Sequence, residues 1–267
     1  MLAGCRLGSY LEWHAVLSST MDRAADLAGE GAPDGAVVVA DQQRSGRGRL
    51  GRSWQAEAGQ ALTFSLLLRP AGHLGGPGAL AQLPMALALG ALEALRIRLP
   101  QPQAAALKWP NDLQLDGAKV GGLLAELRQE TEGTVLILGL GLNLRQRDFP
   151  TLPDATSLSR HLGCEPTDPR LRRVPLLADL LRAAAVRLEV LEQGGSLLAD
   201  WAAQLSTLGR RIRVRPLGVG GQVAGPGAEP CLEGLAEGLG PLGELLLRDD
   251  VGRLHLLRAG DVSLAAE

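Results

Sequence analysis

The sequence predicts an α+β fold: a mixed β-sheet flanked by helices, followed by a small C-terminal β-barrel. Three observations carry that expectation. Strand-length apolar runs at 36–42, 61–68 and 134–144 are interleaved with helical patterns, the longest at 79–99 and 170–193. The chain has 267 residues, 46% of them hydrophobic, enough for one sizeable core and a small second unit. From Gly209 the texture changes to short strand candidates separated by glycine-rich turns at 8- to 12-residue spacing. The expected division is therefore 1–208 and 209–267.

In chain order, Leu11–Leu17 is the first strand candidate. Ser19 and Thr20 follow as hydroxyl N-caps for a helix over Met21–Ala28. Only some ten residues precede the first strand, which leaves no room in this sequence for an N-terminal DNA-binding domain. The helix at 79–99 contains Pro84 and is ended by Pro100 and Pro102. In Lys108-Trp109-Pro110-Asn111-Asp112, Pro110 removes a ladder donor and biases Trp109 to an extended backbone, so Asn111 and Asp112 fall at a break beside a strand. Asp116-Gly117 is a hairpin turn, and Lys119–Glu126 returns as the partner strand. Gly139 and Gly141 within the strand at 134–144 permit close backbone approach. Helices at 170–193 and 196–208 form scaffold. Arg211–Arg215 and short runs near 231, 244 and 254 are the barrel's strands.

Composition narrows the function. A net charge of −2 gives no basic signature for nucleic acid. No run approaches 18 apolar residues, so no membrane span is expected. The cysteines Cys5, Cys164 and Cys231 are scattered and odd in number, which fits a reducing cytoplasm rather than a disulfide framework or a zinc site. Of 27 basic residues other than histidine, 25 are Arg, and the two lysines, Lys108 and Lys119, fall within one 12-residue window. Surface Lys exchanges readily with Arg, whereas a compact point charge at a reacting centre does not. Lysines retained in a chain so depleted of them point to chemistry.

The densest stretch is Gly46-Arg47-Gly48-Arg49-Leu50-Gly51-Arg52-Ser53-Trp54. Glycines allow positive φ and close approach, and arginines offer forked donors for carboxylate or phosphate oxygens, so the segment reads as a mobile anion clamp. Its spelling also matches the dinucleotide fingerprint. That reading fails because too few residues follow Gly51 to form a phosphate-facing helix before the next strand. A plain solvated turn remains the bland alternative.

These stretches resemble the biotin protein ligases. The family's Gly-Arg-Gly-Arg-x-Gly-Arg-x-Trp motif stands at 46–54 and its Lys-Trp-Pro-Asn-Asp motif at 108–112. Lys119 follows seven positions on, then Gly121-Gly122-Leu123-Leu124-Ala125-Glu126; Gly-x-Gly-x-Asn is 139–143. The match runs from about Ser18 to Leu144 and, more weakly, through the C-terminal barrel. Without an N-terminal helix-turn-helix it is similar to the short, non-repressor group. The resemblance implies a class II synthetase-like catalytic domain and an SH3-like barrel. It implies ATP-dependent formation of biotinyl-5′-adenylate with Mg²⁺, then transfer of biotin to one lysine of a biotin carboxyl carrier protein. Lys119, Arg47, Arg49 and Asp112 are the implied catalytic residues. Ser19, Thr20, Met21, Gln43, Arg47, Gly48, Arg49, Lys119 and Gly121 would hold biotin. Arg49, Trp54, Lys108, Asn111 and Asn143 would meet the nucleotide.

Two departures stand out. Where the family often places an Arg after the final Ser-Leu, this chain has Ser263-Leu264-Ala265. Where relatives commonly have Ser-Pro before the loop-end glycine, it has Ala56-Glu57-Ala58-Gly59. The competing functions are a lipoate or octanoate transferase of the same superfamily and a non-catalytic biotin-binding protein. The arginine-rich loop argues against the first, retention of both lysines against the second. An exposed strand beside the site could serve both a homodimer and the carrier by sheet augmentation.

Overall fold

In the computed structural model, which describes residues 5–131, 133–216 and 231–264, the segment 11–143 builds a seven-stranded sheet. Its spatial order is β1 (Leu11–Leu17), β2 (Val37–Gln43), β3 (Ala61–Leu68), β7 (Gly133–Asn143), β6 (Ala118–Glu130), β5 (Asp112–Leu115) and β4 (Ala105–Lys108). β1 and β2 are parallel and joined through helix α1 (Thr20–Gly29), while every other neighbouring pair is antiparallel. The sheet is mixed because only a crossover can join parallel neighbours.

Strand alternation sends side chains to two helical layers. On one face, Leu62, Phe64 and Leu66 of β3 and Leu136, Leu138, Leu140 and Leu142 of β7 share a core with α2 (Pro77–Arg96) and α4 (Arg173–Glu192). Each buried leucine contributes on the order of 2 kcal/mol. The two helices approach closely at Gly90, where a Cβ would lie 2.8 Å from the backbone N of Ala184. On the other face, Met21, Ala24, Leu27 and Ala28 of α1 cover Val38, Leu67, Val135 and Ile137. Beyond Ile137 the same face of β7 carries Gly139 and Gly141, and the apolar cover gives way to a cleft.

Several element boundaries differ from the sequence expectation. α2 ends at Arg96, and residues 97–99 continue as a tightened turn in which Arg98 and Leu99 donate to Leu95 and Arg96. α2 also has the length and apolar composition of a membrane-spanning helix, contrary to the expectation of no such run; here 67% of that window is buried inside the fold. The helix expected at 196–208 is only α5 (Leu198–Ala203), because residues 204–206 peel away to hydrogen-bond Leu107 and close the edge of β4. The five-residue α3 (Leu158–Leu162), capped by Ser157 and ended by Gly163 at φ 60°, is too short to show a period in sequence.

The C-terminal strands β8 (Arg211–Pro216), β9 (Leu232–Leu239), β10 (Leu245–Arg248), β11 (Leu254–Leu257) and β12 (Gly260–Leu264) form a second sheet in the order β11-β10-β9-β8-β12. All its pairs are antiparallel, consistent with an SH3-like barrel. β12 has no counterpart among the expected strands. Ile212, Val214, Leu245, Leu247 and Val262 join the apolar cluster that α2 and α4 cover. Ala265 lies outside the described residues.

Candidate active site

The cleft lies over the glycine-bearing end of β7, walled by the N-terminus of α1, the 46–54 loop and β5–β6. Gly139 and Gly141 make it, in a way different from the expected backbone approach. A Cβ at Gly139 would lie 2.6 Å from Met21 Sδ, and one at Gly141 would lie 2.4 Å from the Trp54 indole. The two glycines therefore seat side chains, and those side chains line the pocket. At its inner end Ser19 caps α1 by accepting from Met21 N (3.2 Å). Thr20 donates through both its backbone N (2.8 Å) and its hydroxyl (3.1 Å) to Gln43 Oε1, and it accepts from Ser65 Oγ at 2.8 Å. This small polar network sits at one end of a mostly apolar slot.

The Gly/Arg segment is a closed loop, not a helix entry. Gly48 N donates to Arg52 O and Trp54 N to Gly46 O, with Leu50 and Gly51 at φ 61° and 69°. Gly46 has no alternative, since a Cβ would meet Trp54 O at 2.4 Å. The loop's three arginines have different partners. Arg47 reaches Asp22 (2.5 Å) and Glu126 (3.1 Å), and the Asp22 hydrogen bond foremost raises its pKa. Arg52 binds Asp261 of β12 at 2.5 Å, fastening the loop to the C-terminal sheet. Arg49 donates to the neutral Asn111 Oδ1 at 3.0 Å. Burial lowers its pKa, an effect that the charges of Asp112 and Asp261 partly offset.

Opposite the loop, the hairpin turn forms as expected, with Asp116 and Gly117 at φ 47° and 81°. It presents Lys119 Nζ 2.6 Å from Asp112 Oδ1. Gly122, paired with Asp112 across the strands, leaves room for both: a Cβ there would lie within 3.5 Å of each side chain. The backbone of Lys119 is clamped by hydrogen bonds to Asp154 O and from Thr156 N, each 2.8 Å. Trp109 is 2% exposed and donates to Gly243 O at 3.0 Å, which anchors Lys108 and Asn111 on either side of it. Lys108 has no ion pair among the described residues, and the indole N–H of Trp54 is buried without an acceptor. The cleft thus gathers cations and a donor whose natural complement is an anionic, partly apolar ligand.

Most expected site residues line this one cleft: Ser19, Thr20, Met21, Gln43, Arg47, Gly48, Arg49, Trp54, Lys108, Asn111, Asp112 and Lys119. Two do not. Gly121 packs against β7, where a Cβ would meet Gly141 O at 2.6 Å, and its neighbour Gly122 faces the cleft instead. Asn143 is buried, its Nδ2 donating to Thr156 O at 3.1 Å beneath the 155–157 segment. Sequence reasoning misses Ser65, Asp22, Glu126 and Asp261, because each acts through a partner far away in the chain. Among the described residues no group of three or more His, Cys, Asp or Glu could hold a metal ion.

The comparisons agree with this geometry. Residues 13–143 match the Biotin/lipoate A/B protein ligase family. The chain is 40% identical over 163 residues to the bifunctional ligase/repressor BirA of Bacillus subtilis, covering 59% of this chain and 48% of that protein. It therefore spans about half the length of the first curated relatives it matches. It is 34% identical over 257 residues to the biotin--[acetyl-CoA-carboxylase] ligase of Mycobacterium tuberculosis, 92% of this chain and 87% of the other. The biotin protein ligase of Aquifex aeolicus in complex with biotin and ATP superposes with a TM-score of 0.74 at 30% identity, covering 97% and 100% of the two chains.

Proposed function

The chain belongs to the biotin/lipoate A/B protein ligase family, among its biotin ligases, and we propose that it activates biotin with ATP and transfers it to a carrier-protein lysine. The carrying observation is Lys119 beside Asp112 in a slot that also holds Arg49 and Lys108, neither of which forms an ion pair among the described residues. Biotin's carboxylate and the α-phosphate of ATP repel until cations lie between them. Lys119 bridges the two as the carboxylate oxygen bonds to phosphorus and pyrophosphate leaves, stabilising charge that grows in the transition state. Arg49 and Lys108 take the remaining phosphate charge. Arg47, one of the implied catalytic residues, would act by holding the loop through Asp22 and Glu126, and Asn143 would support the cleft from behind.

Biotin's fused rings occupy the slot between Met21 and Trp54, with the Thr20–Gln43–Ser65 network meeting the polar ring. In the second step the carrier lysine's neutral amine attacks the acyl carbon, the acyl C–O bond to phosphate breaks and AMP leaves. Asp112 accepts a hydrogen bond from that amine, and the proton that the nitrogen sheds on becoming an amide is released to solvent. Mg²⁺ would arrive on the phosphates of ATP, since this ion is typically held by one or two carboxylates plus substrate phosphates. The acceptor is a biotin carboxyl carrier protein in the cytoplasm, and no DNA or membrane role is assigned. The outer edge of β6 beyond its pairing with β5 would serve the carrier and a homodimer alike. We divide the chain into a catalytic unit, 1–208, and the small sheet from 209.

The test is ATP-dependent appearance of biotin on one carrier lysine, read by intact mass. Tight biotin binding without ATP-dependent transfer would instead favour a binding protein, and lipoyl or octanoyl transfer the superfamily alternative.

A further inference from the structure

We propose that a second, apolar groove, on the face of β6 opposite the cleft, receives the side chains that flank the acceptor lysine. The proposal rests on the ligase reading and adds a determinant of carrier specificity. The groove, about 300 Å³, is lined by Ala81, Pro84 and Met85 of α2 and by Trp201 and Leu242, with the exposed Arg258 also in its wall. Arg49 and Asn111 belong to its wall and to the wall of the cleft, so the two cavities meet around one strand edge.

That edge is the outer side of β6. β5 pairs only with residues 118–122, and Asn111 O accepts from Leu123 N. Among the described residues no strand covers this outer edge of β6 from Leu124 to Glu130, where β7 pairs only with the inner edge. Along this stretch Leu124 and Glu126 line the cavity under the loop, while Ala125 lines the groove, whose wall Leu124 also reaches at the strand edge. An extended chain added to a strand edge alternates with the same period of two. A lysine directed into the cleft therefore directs both of its neighbours into the groove. The apolar part of the lining accommodates aliphatic neighbours, and Arg49 and Arg258 would repel a cationic one. The occupant is the carrier because the groove opens into the cleft where its lysine must arrive.

Ala81→Trp and Leu242→Glu alter the groove from two different elements and leave the cleft lining untouched. Three rates are measured for each: biotin-dependent ATP–pyrophosphate exchange, trapping of the adenylate by hydroxylamine, and transfer to the carrier. The expected result is exchange and trapping within twofold of wild type, with the KM for the carrier raised at least tenfold. Arg substitutions in the carrier beside its lysine should raise KM with the wild-type enzyme, a readout that needs no groove variant, and raise it less with Leu242→Glu. An unchanged carrier KM in both groove variants overturns the proposal. So does a KM change that only accompanies a shift in sedimentation, which would put a second copy in the groove. Absence of exchange in the wild type would instead remove the ligase reading itself.

Discussion

Arg47 and Arg49 stand two positions apart on one loop, yet Arg47 is neutralised by Asp22 and Glu126 while the Arg49 side chain, among the described residues, has only the amide oxygen of Asn111, 3.0 Å away. A guanidinium taken from water without a carboxylate partner is poised for an anion, whereas one already paired is a tether.

Arg49→Ala should therefore lower kcat for biotin-dependent exchange by about 10²–10³-fold, the scale for losing one preorganised donor. Arg47→Ala should leave kcat within several-fold and raise the KM for biotin roughly tenfold, equivalent to ~1.4 kcal/mol of loop ordering. Steady-state exchange kinetics separate the two. Equal kcat losses would contradict the division of roles.

Gly141→Ala places a methyl group 2.4 Å from the Trp54 ring, and an indole cannot fold away as a thioether can. Overpacking of this kind costs ~1–3 kcal/mol, so calorimetry should show biotin affinity reduced by roughly 10- to 100-fold. Gly139→Ala, against the flexible Met21, should cost less. In a Trp54→Ala background the Gly141→Ala penalty should disappear; its persistence would mean the glycine serves something other than the ring.

Asp261 ties β12 to the loop through Arg52. Burial raises its pKa, but the Arg52 hydrogen bond and the charges of Arg52, Lys108 and Arg215 outweigh this, so the net shift is downward. A depressed folded pKa means the latch is fully present above the unfolded aspartate value and is lost as pH falls through the lower folded value. The KM for ATP should hold steady down to about pH 5 and rise only below the ordinary aspartate range. Asp261→Asn should raise it severalfold at neutral pH. The melting temperature should barely move, since both partners are around half exposed and such pairs contribute about 0–1 kcal/mol before screening. A large loss of stability with unchanged KM would refute the latch.

The chain's two lysines both line the cleft, leaving arginines on the rest of the surface. Acyl-adenylates acylate nearby amines but not guanidinium groups, so self-biotinylation should be low. A variant with several surface Arg→Lys changes, incubated with biotin and ATP, should give a stronger streptavidin signal. Equal signal from both proteins would remove the idea.

What the sequence reveals of this site are features confined to one segment. The loop at 46–54, the stretch at 108–112 and the Asp116-Gly117 turn that presents Lys119 are legible because their conformations follow from local glycine, proline and turn chemistry. Partnerships across the sheet are not. Gly141 and Trp54 are both conspicuous, but nothing in the chain order says that one makes room for the other. β3 is buried on both faces, so its apolar run conceals that Ser65 donates to Thr20 beneath the cleft. Asp261 lies 209 residues from Arg52, on a strand with no outward sign in the sequence. The same limit explains Asn143 and Gly121, whose positions beside true cleft residues do not disclose which way each one faces.

The most direct measurement is biotin-dependent exchange of pyrophosphate into ATP by the wild-type protein and by Lys119→Ala. Exchange that requires biotin in the wild type and falls by about 10²-fold or more in the variant is expected if Lys119 bridges the two anions. Wild-type exchange that survives intact in Lys119→Ala, or its absence despite tight biotin binding, would contradict adenylate formation at this site.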